Sequence, residues 1–246
     1  MKRNAFTLVE LLVAIGVIAI LLAILLPALA GVRGSARKTV TLSNLKQSHA
    51  AFDLYLARYD RTYPWFEPGT FLKANPEGTQ SISPGYWDLN IYWPMLMHES
   101  APWPEHFKTF LGSGARTGDQ PWLAELGLGQ TYRTPSFEYC RAFFARPELF
   151  SESATESPDL FRPVRQSDVA HPAAKVLLFD RELTHLQGTE DARNVGDFDL
   201  RPMAFADGHA TERKRSEASA PELPAWLDRQ GAPPHDTPNG ARGTDF

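Results

Sequence analysis

The chain divides by pattern before it divides by composition. From Leu11 to Ala30 no side chain is charged or strongly polar: the run is Leu, Ile, Val and Ala with one Gly and one Pro. As a helix it is about 30 Å long, the thickness of a bilayer's hydrocarbon core. Nothing in a chain of 246 residues requires a core helix that is apolar on every face, so the run predicts a membrane span. Pro27 is expected to kink this helix rather than end it, because lipid offers the freed backbone groups no better partner. From Gly31 to Tyr59 there is no proline. Val32, Val40, Leu42, Leu45, His49, Phe52, Leu54, Leu56 and Tyr59 recur at loose helical spacing, with Arg33, Arg37, Lys38 and Lys46 on much of the remaining face. The pattern predicts one helix from Phe6 to Arg58, apolar all round and then amphipathic. Its second half needs a surface to pack on, such as a small sheet.

Residues 61–170 show no long periodicity. Trp65, Trp87, Trp93, Trp103 and Trp122 fall among glycines and prolines, which predicts loops, short helices and one or two strands. The rings fit a stacking surface for sugars or a partner protein. They fit better as anchors that pin loops where regular structure is scarce. Strand signals come later. Lys175–Asp180 is a continuous apolar run of strand length. Met203–Ala206 and His209–Arg213 flank Asp207-Gly208, the favoured dipeptide of a type I′ hairpin turn. From Ser216 onward prolines multiply and the apolar pattern stops, apart from Trp226-Leu227. That composition predicts a disordered or loosely attached tail with Trp226 as a docking point.

The carboxylate of Glu10 is the chemical oddity. An acid near the centre of a membrane helix costs roughly 2.5–3.5 kcal/mol, and less near an interface. Glu10 either reaches the headgroups or meets a cation from another chain. Three fates of the N-terminal segment follow. The whole segment stays as an anchor; it is a secretory signal cut after Ala28-Leu29-Ala30; or a leader is cut before Phe6 and the helix is kept. The apolar run exceeds the usual length of a signal's core, and Glu10 interrupts its start, which counts against the second fate.

Ala5-Phe6-Thr7-Leu8-Val9-Glu10-Leu11-Leu12-Val13 resembles the cleavage and methylation signature of type IV prepilins and type II secretion pseudopilins. The resemblance places the prepilin peptidase cut between Ala5 and Phe6, with N-methylation of the new Phe6 amine. It makes Glu10 the assembly carboxylate and puts Pro27 where many pilins have a kinking proline. The family usually has Gly before the cut, and this chain has Ala5. Cleavage creates an ammonium in the same membrane layer as Glu10, and pairing between adjacent chains offsets the desolvation of both charges. Asn44-Leu45-Lys46-Gln47, Tyr63-Pro64 and Phe205-Ala206-Asp207-Gly208-His209 are similar to a planctomycete-type pseudopilin group. That group has a His separated from the Asp-Gly pair by nine residues, where this chain has Asp197.

The resemblance implies an α+β, type IV pilin-like fold. Its parts are a leader over 1–5, a transmembrane helix over 6–30 and an amphipathic continuation over 31–60. A globular domain over 61–215 and the tail over 216–246 follow. The implied function is a non-enzymatic subunit of a type II secretion pseudopilus or related filament. A minor subunit is favoured, because the insertion at 61–170 would crowd a repeated one. The implied partners are prepilin peptidase, other pilin-like subunits, an inner-membrane assembly platform and membrane lipid. The expected location is the inner membrane, with a cytoplasmic N-terminus and a periplasmic domain. Counting basic residues does not settle that orientation, since Lys2 and Arg3 face Arg33, Arg37 and Lys38. The alternative is an envelope protein on the same anchor that binds polysaccharide or secreted cargo. A third reading is a secreted enzyme beginning at Gly31.

Composition adds exclusions. The net charge of −4 supplies no basic footprint for nucleic acid. Cys140 stands alone, so no internal disulfide is available. No nucleophile motif, Gly-rich phosphate loop or zinc-protease helix occurs, although His185 lies near Asp180 and Glu182. His98 and His106 lack zinc spacing. No cofactor is expected. Major secretion pseudopilins hold calcium, which makes Asp197, Asp199 and Asp207 candidate ligands. There is no recognisable calcium loop, and turn-forming, solvent-facing Asp explains them more simply.

Overall fold

The structure, a computed structural model, describes residues 8–67, 69–73, 81–102, 106–113, 135–181 and 200–246. Helix α1 spans Leu8–Arg58, 51 residues and about 76 Å. Its backbone stays helical through Pro27. Every described side chain from Leu8 to Arg33 is exposed, so the apolar half projects from the rest of the protein.

The second half of α1 turns one face inward. Thr41, Leu45, Ser48, Phe52 and Leu56 are buried at steps of three or four residues, the spacing of one helix face. Phe52 lies between the rings of Trp93 and Tyr139, with centroids 5.2 and 5.0 Å away. The polar members of the stripe hold a passing loop. Asn44 Nδ2 donates to the Leu111 carbonyl at 2.8 Å, Ser48 Oγ donates to the Thr109 carbonyl at 2.8 Å, and Thr41 Oγ1 accepts the Ser113 amide at 2.9 Å. Asp60 and Arg61, at φ 50° and 57°, turn the chain sharply after α1.

A two-stranded ribbon, β1 (Leu72–Lys73) and β2 (Ser81–Ile82), precedes the short helix α2 (Leu89–Leu96). The main sheet is β3 (Phe137–Tyr139), β4 (Val176–Asp180), β5 (Leu200–Phe205) and β6 (Ala210–Lys214), antiparallel and in chain order. Residues alternate faces along a strand. Leu178 and Ala204 join the core that contains Phe52. Val176, Phe179, Met203 and Phe205 form a second cluster with Phe246. This covering on both faces explains why β4 is buried throughout and reads as an unbroken apolar run. The protein is α+β with a type IV pilin-like architecture: one long N-terminal helix packed on a small antiparallel sheet.

Two expectations are corrected. The β5–β6 connection is not type I′. Ala206 and Asp207 keep negative φ, and Gly208 alone turns positive, at φ 90°. Gly208 N–H donates to the Phe205 carbonyl and Phe205 N–H to the His209 carbonyl, both at 2.9 Å. This is a three-residue loop closed by a glycine bulge, which pairs Ala204 with Ala210 and leaves His209 outside β6. The tail is also packed rather than disordered. Thr237, Asp236, Ala241 and Asp245 are fully buried, and Trp226 Nε1 donates to the Ala154 carbonyl at 2.6 Å. Proline richness removes regular structure here without removing burial, because side chains and a few backbone bonds do the holding.

Candidate functional site: the projecting apolar helix

Glu10 is the only charged residue between Leu8 and Val32. It lies in the first turn of α1, where a carboxylate meets the positive end of the helix dipole. Around it Leu8, Val9, Leu11, Leu12 and Val13 are all more than half exposed. α1 is long and apolar enough to cross a membrane, and none of its most apolar stretch is buried within the protein. An exposed apolar surface of this extent calls for lipid or neighbouring helices. Ala5 and Phe6 lie outside the described residues, so the geometry of the cut and of the Phe6 amine relative to Glu10 does too.

Where α1 leaves its apolar half, it is tied to the hairpin. Lys38 pairs with Glu212 of β6. One turn further in than Leu45, His49 is buried, with Nδ1 3.2 Å from Asp53 Oδ2 and Nε2 3.2 Å from the Ala206 carbonyl. Gly208 rides on this imidazole, since a Cβ there would stand 3.3 Å from the His49 ring. In the sequence, His49 reads only as a member of the helix's apolar stripe.

Asp207 is engaged at the turn. Its Oδ1 accepts the His209 amide at 3.1 Å and faces His209 Nδ1 at 2.6 Å. Burial pushes its carboxyl up, but the His209 hydrogen bonds outweigh burial and hold it below the ordinary range. Asp197 and Asp199 lie outside the described residues, as do Glu182 and His185. Among the described residues no group of three or more His, Cys, Asp or Glu is placed to hold a metal ion. His98 and His106 sit apart in role: His106 packs against Phe110 at 6.5 Å, while His98 follows α2 in a turn. The described tryptophans work as anchors. Trp93 is fully buried and donates to the Phe137 carbonyl at 3.0 Å, and Trp87 lies under the Arg229 guanidinium at 4.6 Å. Trp103 and Trp122 lie outside the described residues.

A buried polar layer with no local signal in the sequence lies between the sheet and the tail. His235 Nε2 donates to Glu138 Oε2 at 3.0 Å, and its Nδ1 accepts the Arg141 amide at 3.3 Å. One donor and one acceptor suit a neutral imidazole. Burial pulls the His235 pKa down, more than Glu138 beside it restores. Burial alone would raise the Glu138 carboxyl, but the His235 hydrogen bond and the nearby Arg181 and Arg141 hold it low. Asp236, wholly buried, accepts from Arg141 Nη1 at 3.2 Å and from the Ala232 amide at 3.0 Å. No motif marks these residues, because their partners lie about 95 positions apart in sequence.

With this geometry established, comparison with known proteins finds that residues 1–26 match the family model of the prokaryotic N-terminal methylation motif. No curated protein and no solved structure matches the chain.

Proposed function

We propose that this chain, a type IV prepilin-type or pseudopilin-type precursor by its N-terminal methylation motif, is an assembly subunit of an envelope filament. The carrying observation is the pairing of that motif with a helix whose apolar half is exposed at every described side chain. Proteins with this motif are structural subunits handled by prepilin peptidase, and they assemble with other pilin-like subunits. The fine assignment is our own: cleavage between Ala5 and Phe6, methylation of Phe6, and use of Glu10 as the assembly carboxylate. Glu10 sits at the end of the helix where the new ammonium would appear, and an ion pair between neighbouring chains would offset two desolvation penalties. We assign the filament to a type II secretion pseudopilus or a relative of it, with this chain as a minor subunit. The bulk of the domain beyond α1 supports that rank, because it would crowd a repeated subunit. The same helix anchors the chain, in this proposal in the inner membrane with the domain on the periplasmic side.

The test is the N-terminus of the mature protein, read by mass spectrometry from isolated envelopes. N-methylated Phe6 is the expected result. A chain starting at Gly31 would have lost the assembly helix and would end this proposal.

A further inference from the structure

Lys175, Thr237 and Asp245 form a small sealed site between the sheet and the tail, and each is fully buried. Lys175 Nζ lies 2.8 Å from Asp245 Oδ1 and 2.7 Å from Thr237 Oγ1. Thr237 Oγ1 is 2.5 Å from the same Asp245 oxygen, so the hydroxyl bridges amine and carboxylate. The other oxygen, Oδ2, accepts the Val176 backbone amide at 2.7 Å. The backbone is clamped as well. Asp245 N–H donates to the Ala174 carbonyl at 2.9 Å, and the Asp245 carbonyl accepts the Ser219 amide at 2.8 Å. Phe246 closes the site against Phe205, with centroids 6.0 Å apart.

We propose that Lys175 and Asp245 condense into an intramolecular isopeptide bond. Four features of the site converge on this step. First, Lys175 Nζ lies 2.8 Å from Asp245 Oδ1, which holds the nitrogen next to the carboxyl carbon that it must attack. Second, Lys175 and Asp245 are both fully buried, so the site excludes the water that would otherwise compete for the acyl carbon. Third, the Val176 amide points at the oxygen that becomes the tetrahedral oxyanion and then the amide carbonyl, the geometry of an oxyanion donor. Fourth, Thr237 touches both Nζ and Oδ1, so it can pass the proton from the attacking amine to the departing oxygen. The balance is simple. The Nζ–Cγ bond forms and the Cγ–Oδ1 bond breaks; two Nζ protons pass to Oδ1, one directly along the Nζ–Oδ1 contact and one through Thr237, and Oδ1 leaves as one water with no change of oxidation state.

The consequence suits an exported chain with one cysteine and therefore no internal disulfide. The bond would staple residues 70 positions apart and lock the tail onto the sheet, as a disulfide would, by restricting the unfolded chain.

The full-length protein, purified and digested with trypsin, reads the bond directly. The expected product is a branched peptide joining the segment that contains Lys175 to the segment beginning at Gly243, lighter than their sum by one water, with no cleavage after Lys175. Lys175→Arg keeps the charge and removes the amine nucleophile, and it should give cleavage after position 175 and the segment beginning at Gly243 free at full mass. Thr237→Val should slow appearance of the branched peptide in a time course after synthesis. Recovery of wild-type protein with cleavage after Lys175 and the segment beginning at Gly243 free at full mass overturns the proposal. So does a lost water on the Asp245 segment alone, which would mark a succinimide.

Discussion

His235 holds one proton between an acceptor and a donor, Glu138 on one side and the Arg141 amide on the other. Burial lowers its pKa in the folded protein, so at low pH the unfolded chain takes up a proton that the folded chain resists. Stability from this residue is complete above the ordinary histidine value of about 6.5 and declines as pH falls below it. The melting temperature of the detergent-solubilised chain should therefore drop as pH falls from about 6.5 to about 5, and His235→Gln should flatten that slope. Gly208 tests a different residue-level claim. Its positive φ strains any side chain, and a Cβ there would stand 3.3 Å from the His49 ring, which would have to give by a few tenths of an ångström. Gly208→Ala should cost about 1–2 kcal/mol from the backbone alone, measured by chemical denaturation. The Asp-Gly pair made this turn legible in sequence, but the turn type was not. Three-residue and two-residue hairpin loops share that dipeptide, and the register of β5 against β6 selects between them.

At the scale of elements, α1 was legible almost to its last residue. An apolar run followed by an amphipathic stripe ends at Arg58, where the pattern gives out. Its two halves serve different ends, and substitutions can separate them. Glu10→Ala should leave the chain membrane-anchored, since it removes a charge from an apolar helix, while filaments recovered by shearing should be lost. Persistence of filaments in that variant would take Glu10 out of assembly. Strand β4 was also legible, because a strand covered on both faces must be apolar throughout. Strand β3 was not. Its Phe-Glu-Tyr is three residues long, and Glu138 is kept in it by His235, a residue from the far end of the chain.

The whole molecule depends on the tail that composition marked as loose. Residues 216–246 cover the outer cluster of the sheet through Phe246 and carry Asp236, Thr237 and Asp245 into the interior. They also enclose Cys140, whose Sγ lies 3.0 Å from the Pro234 carbonyl. Burial and the nearby Asp245 push that thiol well up, so it is both covered and unreactive. Truncation after Ser216 should make Cys140 react with thiol reagents under native conditions, while the full chain should react only once denatured. Equal labelling of the two would mean that the tail does not seal the interior.

The sequence by itself determined the long helix, its division into apolar and amphipathic halves, the processing motif at its start and the strands that flank Asp207-Gly208. All of these depend on residues close together in the chain, where periodicity and turn chemistry act directly. Only the tertiary structure decided that the tail is packed, that His49 receives the hairpin, and that Lys175, Thr237 and Asp245 share one sealed site. Those outcomes rest on which distant segments pay the closure entropy to meet, and a buried polar group leaves no local pattern when its partner is 70 residues away.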